Sequence, residues 1–175
     1  MPLPVLLQNL IEQPTLARIR RNHGLEHATI HVLSREKRRG RVAGHSDAGG
    51  FWLLGDLSPD EIQEAVDEAL ARLRAGESDL AIHPNCGTNL VTSGIFAGLA
   101  GAVAMTGAGP RSRDRLERLP LAGLLATVAL LFARPAGTRI QQLITTSGDP
   151  GDLEVLEIRP SKRRGLVAHR VVTRS

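Results

Sequence analysis

The sequence predicts a small α+β protein that is membrane-associated: a mixed helix and strand domain interrupted by a hairpin of two transmembrane-like helices. Three observations carry this. Two long apolar segments lie in the second half of the chain, amphipathic helical and alternating strand patterns flank them, and 175 residues at 42% hydrophobic content suffice for one compact core. On this basis the chain divides into residues 1–89, an N-terminal α/β portion; residues 90–133, the apolar helix pair; and residues 134–175, a helix and β-hairpin tail returning to the first portion.

The N-terminal stretch MPLPVLLQNLIEQPTLARIR has a short apolar run but neither leading basic residues nor a small-residue cleavage site, so it reads as mature protein. Residues 15–39 read as a helix, with Thr15 as its N-cap and Gly40 as its stop. RVAGHSD, AGG and FWLLGD then form a β-hairpin. In SPDEIQEAVDEALARLRAG, Ser58 is the N-cap, Pro59 takes the first helical position, Glu61 completes a capping box and Gly76 ends the helix.

Leu90–Gly109 runs twenty residues without a charge, close to the ~20 needed to cross a hydrocarbon core. Leu119–Ala133 is a second apolar run of fifteen residues between Arg118 and Arg134, short enough that the arginines must snorkel for it to span. Gly94, Gly98 and Gly101 with Ala97 and Ala104 form a small-residue face that allows close helix approach in lipid. The competing reading is a pair of buried helices in a soluble core. Beyond them RIQQLITTS continues a helix, and DLEVLEI and GLVAHRVV are two strands completing a four-stranded sheet beside the first helix.

Charge and composition narrow the partners. The chain carries a formal net charge of +4, mostly from arginine runs, yet only 2% aromatics and no tyrosine. That leaves no stacking platform for bases, so nucleic acid is not expected as a partner and headgroup-facing arginine is the default. The lipid bilayer is the expected partner, with another membrane protein or a second copy beside it. A cell (inner) membrane location follows, with the soluble portion on the cytoplasmic side. The single cysteine, Cys86, excludes an intramolecular disulfide.

The chemistry concentrates in two short motifs. The first helix's stripe runs Leu16, Ile19, His23, Glu26, His27, Ile30, Leu33 in steps of three and four, so a polar trio points inward where an unsatisfied charge is expensive. His23-x-x-Glu26-His27 is the inverted form of H-E-x-x-H. Its imidazoles lie about 40° apart on the helix, close enough to share one ion. Glu26 on the flank is placed to take a proton from water, and His31 is a weaker candidate one turn on.

The second motif, HPNCGTN at 83–89, offers His83 and Cys86 as further ligands, with Thr88 or Asn89 capping the first apolar helix. Imidazole and thiolate together favour zinc. His45, in a turn region, and His169, on an edge strand, read as ordinary polar positions.

Together HGLEHATIH and HPNCGTN, followed by an apolar helix, resemble the YqhQ family of uncharacterised bacterial membrane proteins described as predicted metal-dependent enzymes. The resemblance covers roughly residues 20–107 and implies a membrane protein with a metal site at His23, Glu26, His27, His83 and Cys86.

Two functions compete. In the first, zinc held by His23, His27 and one or both of His83 and Cys86, with Glu26 as general base, gives a metal-dependent, peptidase-like hydrolase. In the second, all four residues close a structural zinc site and the protein acts in complex assembly or partner binding. A third reading needs no metal and treats the cluster as a buried hydrogen-bonded network.

Overall fold

A computed structural model describes residues 4–35, 42–163 and 166–175. The chain forms two compact units, Met1–His83 with Gln142–Ser175, and Pro84–Gln141.

In the first unit, helix α1 (Val5–Ile11) starts at Pro4, whose carbonyl accepts from the Leu7 and Gln8 amides. Helix α2 (Pro14–Arg35) follows. Proline is suited to the first helical position because its missing N–H would be unpaired there anyway. The Gln13 carbonyl accepts from Ala17 N–H at 2.8 Å, so the cap is Gln13, and Thr15 lies inside the first turn rather than capping it. The expected stop at Gly40 falls outside the described residues. The stripe is buried from Ile30 to Leu33 and at Glu26 and His27, half-buried at His23 and Ile19, and open at Leu16.

The expected hairpin forms as β1 (Ala43–Asp47) and β2 (Gly50–Leu54), joined by a two-residue turn. His45 lies mid-strand opposite Trp52 rather than in the turn. Gly50, at φ +135°, sits where a Cβ would run into the Val171 backbone, so no other residue fits without strain. Helix α3 (Pro59–Arg74) carries the full Ser58/Glu61 capping box, Pro59 at its start and Gly76 at positive φ just past its end.

Strands β3 (Glu154–Arg163) and β4 (Leu166–Arg174) complete an antiparallel sheet of order β1-β2-β4-β3. His169 is therefore on an interior strand, not an edge, and is 2% exposed. Leu25, Ala28 and Val32 of α2, Ile62 and Val66 of α3 and Phe51 of β2 meet in one core. Branched and aliphatic side chains fill this space because the sequence offers few aromatics. Arg170 on β4 grips Asp47 through two hydrogen bonds, at 2.9 and 2.6 Å, and stacks over Trp52.

The second unit is a helical hairpin: α4 (Gly87–Met105), a short α5 (Ser112–Leu116), and α6 (Leu119–Ile140); a π-helical turn at Gln141–Thr145 follows in sequence. Both α4 and the α6 stretch are long and apolar enough to cross a membrane. Nineteen residues of α4 span roughly 28 Å at 1.5 Å per residue, against a hydrocarbon core of ~30 Å. The second segment outruns its expected end at Ala133 because Arg134 and Pro135 are absorbed into the helix.

The side chains that pack between α4 and α6 are small: Ala104 on one helix, Ala133 and Gly137 on the other, are buried. A Cβ on Gly137 would come within 3.2 Å of Asn89 Cα, so glycine permits this approach. Of the expected small-residue face, Ala104 is buried and the GxxxG glycines are not. Gly94, Gly98 and Gly101 have open space where a Cβ would be, and Gly94 and Gly98 are exposed beside Leu90, Ile95 and Leu99. Ala104, Ala133 and Gly137, not the GxxxG pair, are the small residues buried here.

Candidate metal centre

The centre is built on the inward stripe of α2. His23 Nδ1–H donates to the Thr145 carbonyl at 2.9 Å, and His27 Nδ1–H donates to the Ala81 carbonyl at 2.7 Å. A carbonyl oxygen only accepts, so each neutral ring carries its proton on Nδ1 and its metal-binding lone pair on Nε2. Imidazoles tied in this way are oriented and made more basic as ligands. The two rings meet edge to face with centroids 4.3 Å apart.

His31 behaves differently. Its Nε2–H donates to the Ile82 carbonyl at 2.8 Å, leaving the lone pair on Nδ1. Three histidines one helical turn apart thus hold three backbone carbonyls, two of them from the consecutive residues Ala81 and Ile82 that lead to His83. The His83 ring lies 5.6 Å from that of His27 and 4.9 Å from that of His31. Burial, and then the neighbouring His27 and His31, pull its pKa down to about 4, so it is neutral at physiological pH.

Cys86, three residues beyond His83, is buried and serves as the N-cap of α4, its Sγ accepting from Thr88 N–H at 3.4 Å. The cap is thus the cysteine, not Thr88 or Asn89. His23, His27 and Cys86 each offer a ligand atom, and these atoms all lie within 4.8 Å of one another, a group that can hold a metal ion. His83 stands beside this group of three rather than in it.

Glu26 takes a different direction. Its carboxylate is buried, accepts a hydrogen bond from the Ser46 hydroxyl on β1, and lies against Gly44, where any Cβ would overlap it. On the helix it is about 60° from His23 toward the sheet side. It flanks the histidines rather than joining the ligand group.

Several participants were not evident from the motifs. The carbonyls of Thr145, Ala81 and Ile82 and the hydroxyl of Ser46 are recruited from distant segments. Gly24 did carry a signal, since glycine within a helix costs about 1 kcal/mol relative to alanine and needs a reason. The reason is that a Cβ there would collide with the Ser147 carbonyl and crowd Ala81. His169 lies apart from the cluster. Burial lowers its pKa, and its Nδ1 finds no hydrogen-bond partner among the described residues.

Comparison with known proteins agrees on a family but not on the one the motifs resemble. No solved structure matches the chain. An uncharacterised protein of the cyanobacterium Picosynechococcus sp. is 39% identical over 157 residues, covering 80% of this chain and 75% of that protein. The model of a domain of unknown function, DUF6391, matches residues 18–158, which include both histidine motifs and the apolar hairpin. Neither match points to the YqhQ proteins or carries a metal-dependent enzyme description. The chain belongs to the DUF6391 family.

Proposed function

We propose that this protein is a membrane-anchored metalloprotein in which His23, His27 and Cys86 hold a zinc-class ion with one coordination position open, and that the centre serves hydrolysis. The observation that carries the reading is the pair of carbonyl-tied imidazoles. His23 and His27 both have Nδ1 committed to backbone oxygen, the arrangement that orients Nε2 toward a metal. Two imidazoles and a thiolate are a soft, nitrogen- and sulfur-rich set suited to zinc over magnesium or calcium.

A bound ion of this kind supplies Lewis acidity to a carbonyl and makes water acidic enough to lose a proton near neutral pH. The chain's own contributions are specific. Glu26, held by Ser46, receives the proton of the attacking water and passes it to the leaving group. The carbonyls of Thr145 and Ala81 keep the two imidazoles from turning. The exposed apolar helices α4 and α6 anchor the centre at a bilayer, with the first unit on the cytoplasmic side.

A closed structural site is the second reading, favoured by one observation. His83 lies 5.6 Å ring to ring from His27, near enough to supply a fourth ligand after a small rotation. The protein would then act in complex assembly, with Glu26 only steadying a ligand.

The test is elemental mass spectrometry on protein purified in mild detergent, beside His27→Ala. About one zinc per chain, lost in the variant, supports a metal centre, and no metal even after zinc is offered refutes both readings. Cobalt substitution then separates them, because replacing His83 by alanine alters the ligand-field spectrum only if His83 is a ligand. Glu26→Gln should retain metal and lose hydrolysis if Glu26 is the base.

A further inference from the structure

The segment joining the two apolar helices concentrates charge at one end of the second unit. Residues 106–118 carry Arg111, Arg113, Arg115 and Arg118 against Asp114 and Glu117. Both carboxylates are engaged within the segment itself. Asp114 accepts from the Arg111 backbone N–H at 3.3 Å, and Glu117 accepts from Arg113 Nε at 3.0 Å. The guanidinium groups of Arg111, Arg115 and Arg118 make no hydrogen bond or ion pair among the described residues.

Beside these arginines lies a shallow cavity of about 280 Å³, lined by Met105, Ser112, Arg115, Leu116 and Leu119. It sits where α4 ends and α6 begins, wholly within the second unit. Its walls are of two kinds. Met105, Leu116 and Leu119 are apolar, with Leu116 and Leu119 left 62% and 54% exposed, whereas Ser112 and Arg115 bring a hydroxyl and a cation. Since α4 and α6 are each long and apolar enough to cross a membrane, the end of the pair falls at the boundary between hydrocarbon and headgroups. At that depth a phospholipid presents its phosphate beside the first methylenes of its chains. A guanidinium fork matches phosphate oxygens two at a time, while its methylene stem runs along apolar surface.

From this juxtaposition we infer that the loop end of the hairpin is a binding site for an anionic phospholipid, whose phosphate pairs with Arg115 and Ser112 and whose upper acyl chain lies against Met105, Leu116 and Leu119. The inference rests on the reading of α4 and α6 as a membrane anchor and gives that anchor a headgroup preference. Charge complementarity selects the lipid. A zwitterionic headgroup brings its own cation toward three unpaired arginines, and a net-negative one does not. A soluble phosphate would satisfy the arginine and leave the apolar wall in water, so the occupant is the lipid. The cavity holds the phosphate end and the first few methylenes, the rest of the lipid remaining in the bilayer.

The test is native mass spectrometry of the delipidated full chain in mild detergent. Three probes are titrated: phosphatidylglycerol, phosphatidylcholine with the same acyl chains, and glycerol phosphate. Phosphatidylglycerol should be retained at about one per chain, roughly ten-fold more tightly than phosphatidylcholine, and excess glycerol phosphate should not displace it. Arg115→Gln should lower its retention about five-fold. Arg113→Gln removes the same charge outside the cavity and should leave retention unchanged; both positions are exposed, so neither change disturbs packing. Equal retention of the two lipids, no difference between the two variants, or displacement by glycerol phosphate would overturn the site while leaving the anchor standing. A chain that stays in solution without detergent and takes up neither lipid would overturn the anchor itself.

Discussion

Gly24→Ala is the most informative single change. On an exposed helix this substitution would stabilise by about 1 kcal/mol through propensity alone. Here the added Cβ would overlap the Ser147 carbonyl oxygen, with the Ser147 carbonyl carbon at 3.0 Å and Ala81 Cβ at 3.3 Å. The Ser147 carbonyl oxygen would stand 2.0 Å from the new Cβ, against ordinary contact from 3.4 Å upward, so the Ser147 segment has to retreat by about 1.4 Å. It cannot do so without stretching Ser147 N–H to Arg20 O, now 2.9 Å, and the neighbouring His23 to Thr145 O bond, also 2.9 Å.

Overpacking of this kind costs about 1–3 kcal/mol, which offsets the helical gain and leaves a net loss of up to about 2 kcal/mol. Under the proposed metal reading the larger effect falls on zinc affinity, because disturbing a carbonyl that orients a histidine ligand typically lowers affinity about 10–100-fold. The assay is thermal unfolding of the detergent-solubilised apo protein alongside a competitive zinc-chelator titration. A variant that is more stable than wild type and binds zinc equally well would refute the reasoning.

Gly44→Ala should leave zinc stoichiometry near wild type but lower any hydrolytic rate toward that of Glu26→Gln, since its Cβ displaces the Glu26 carboxylate; paired metal and activity measurements check this. Leu99→Arg, 63% exposed in wild type on α4, places a charge at mid-helix at a cost of about 2.5–3.5 kcal/mol for insertion; carbonate-resistant membrane recovery should fall, whereas the same change at exposed Leu6 should not move it. Asp47 is held below the usual carboxylate range by its hydrogen bonds with Arg170, despite partial burial. Its contribution to stability is therefore full above the unfolded value near 4 and is lost as pH falls through the folded value; Asp47→Asn should flatten the acid limb of the melting profile. His169, lowered by burial, works in the window below about 6.5, where the unfolded chain gains a proton before the folded one does; His169→Leu should remove the loss of stability seen as pH falls through that window.

How much of this was legible in the chain depends on whether the signal was local. The capping box at Ser58 and Glu61 and the Gly76 stop appeared as read, because caps are formed by residues within one turn of each other. The strand hairpin at 43–54 and the pairing of β3 with β4 were legible for the same reason: short turns join adjacent alternating runs. The inward placement of Glu26 and His27 followed from helical period alone. Misreadings arose where another part of the chain intervened. Thr15 lost the cap to Gln13 once Pro14 took the first helical position. His169 looked like an edge residue because strand order within a sheet is not written in strand sequence. The GxxxG pair at Gly94 and Gly98 is exposed, with open space where each Cβ would be, because which face of α4 meets α6 is a tertiary choice that the spacing alone does not carry.

The sequence by itself determined which residues carry donor atoms, their one-turn spacing on α2, and the presence of two apolar segments. Tertiary structure alone decided how those donors are used. It brought the Thr145, Ala81 and Ile82 carbonyls to three histidines and so chose each ring's tautomer, turned Glu26 under β1, and gathered His23, His27 and Cys86 into a group that could hold a metal ion. The physical reason is range: periodicity and capping act over one turn of chain, whereas a backbone carbonyl 122 residues from His23 in sequence reaches its ring only after the core has folded.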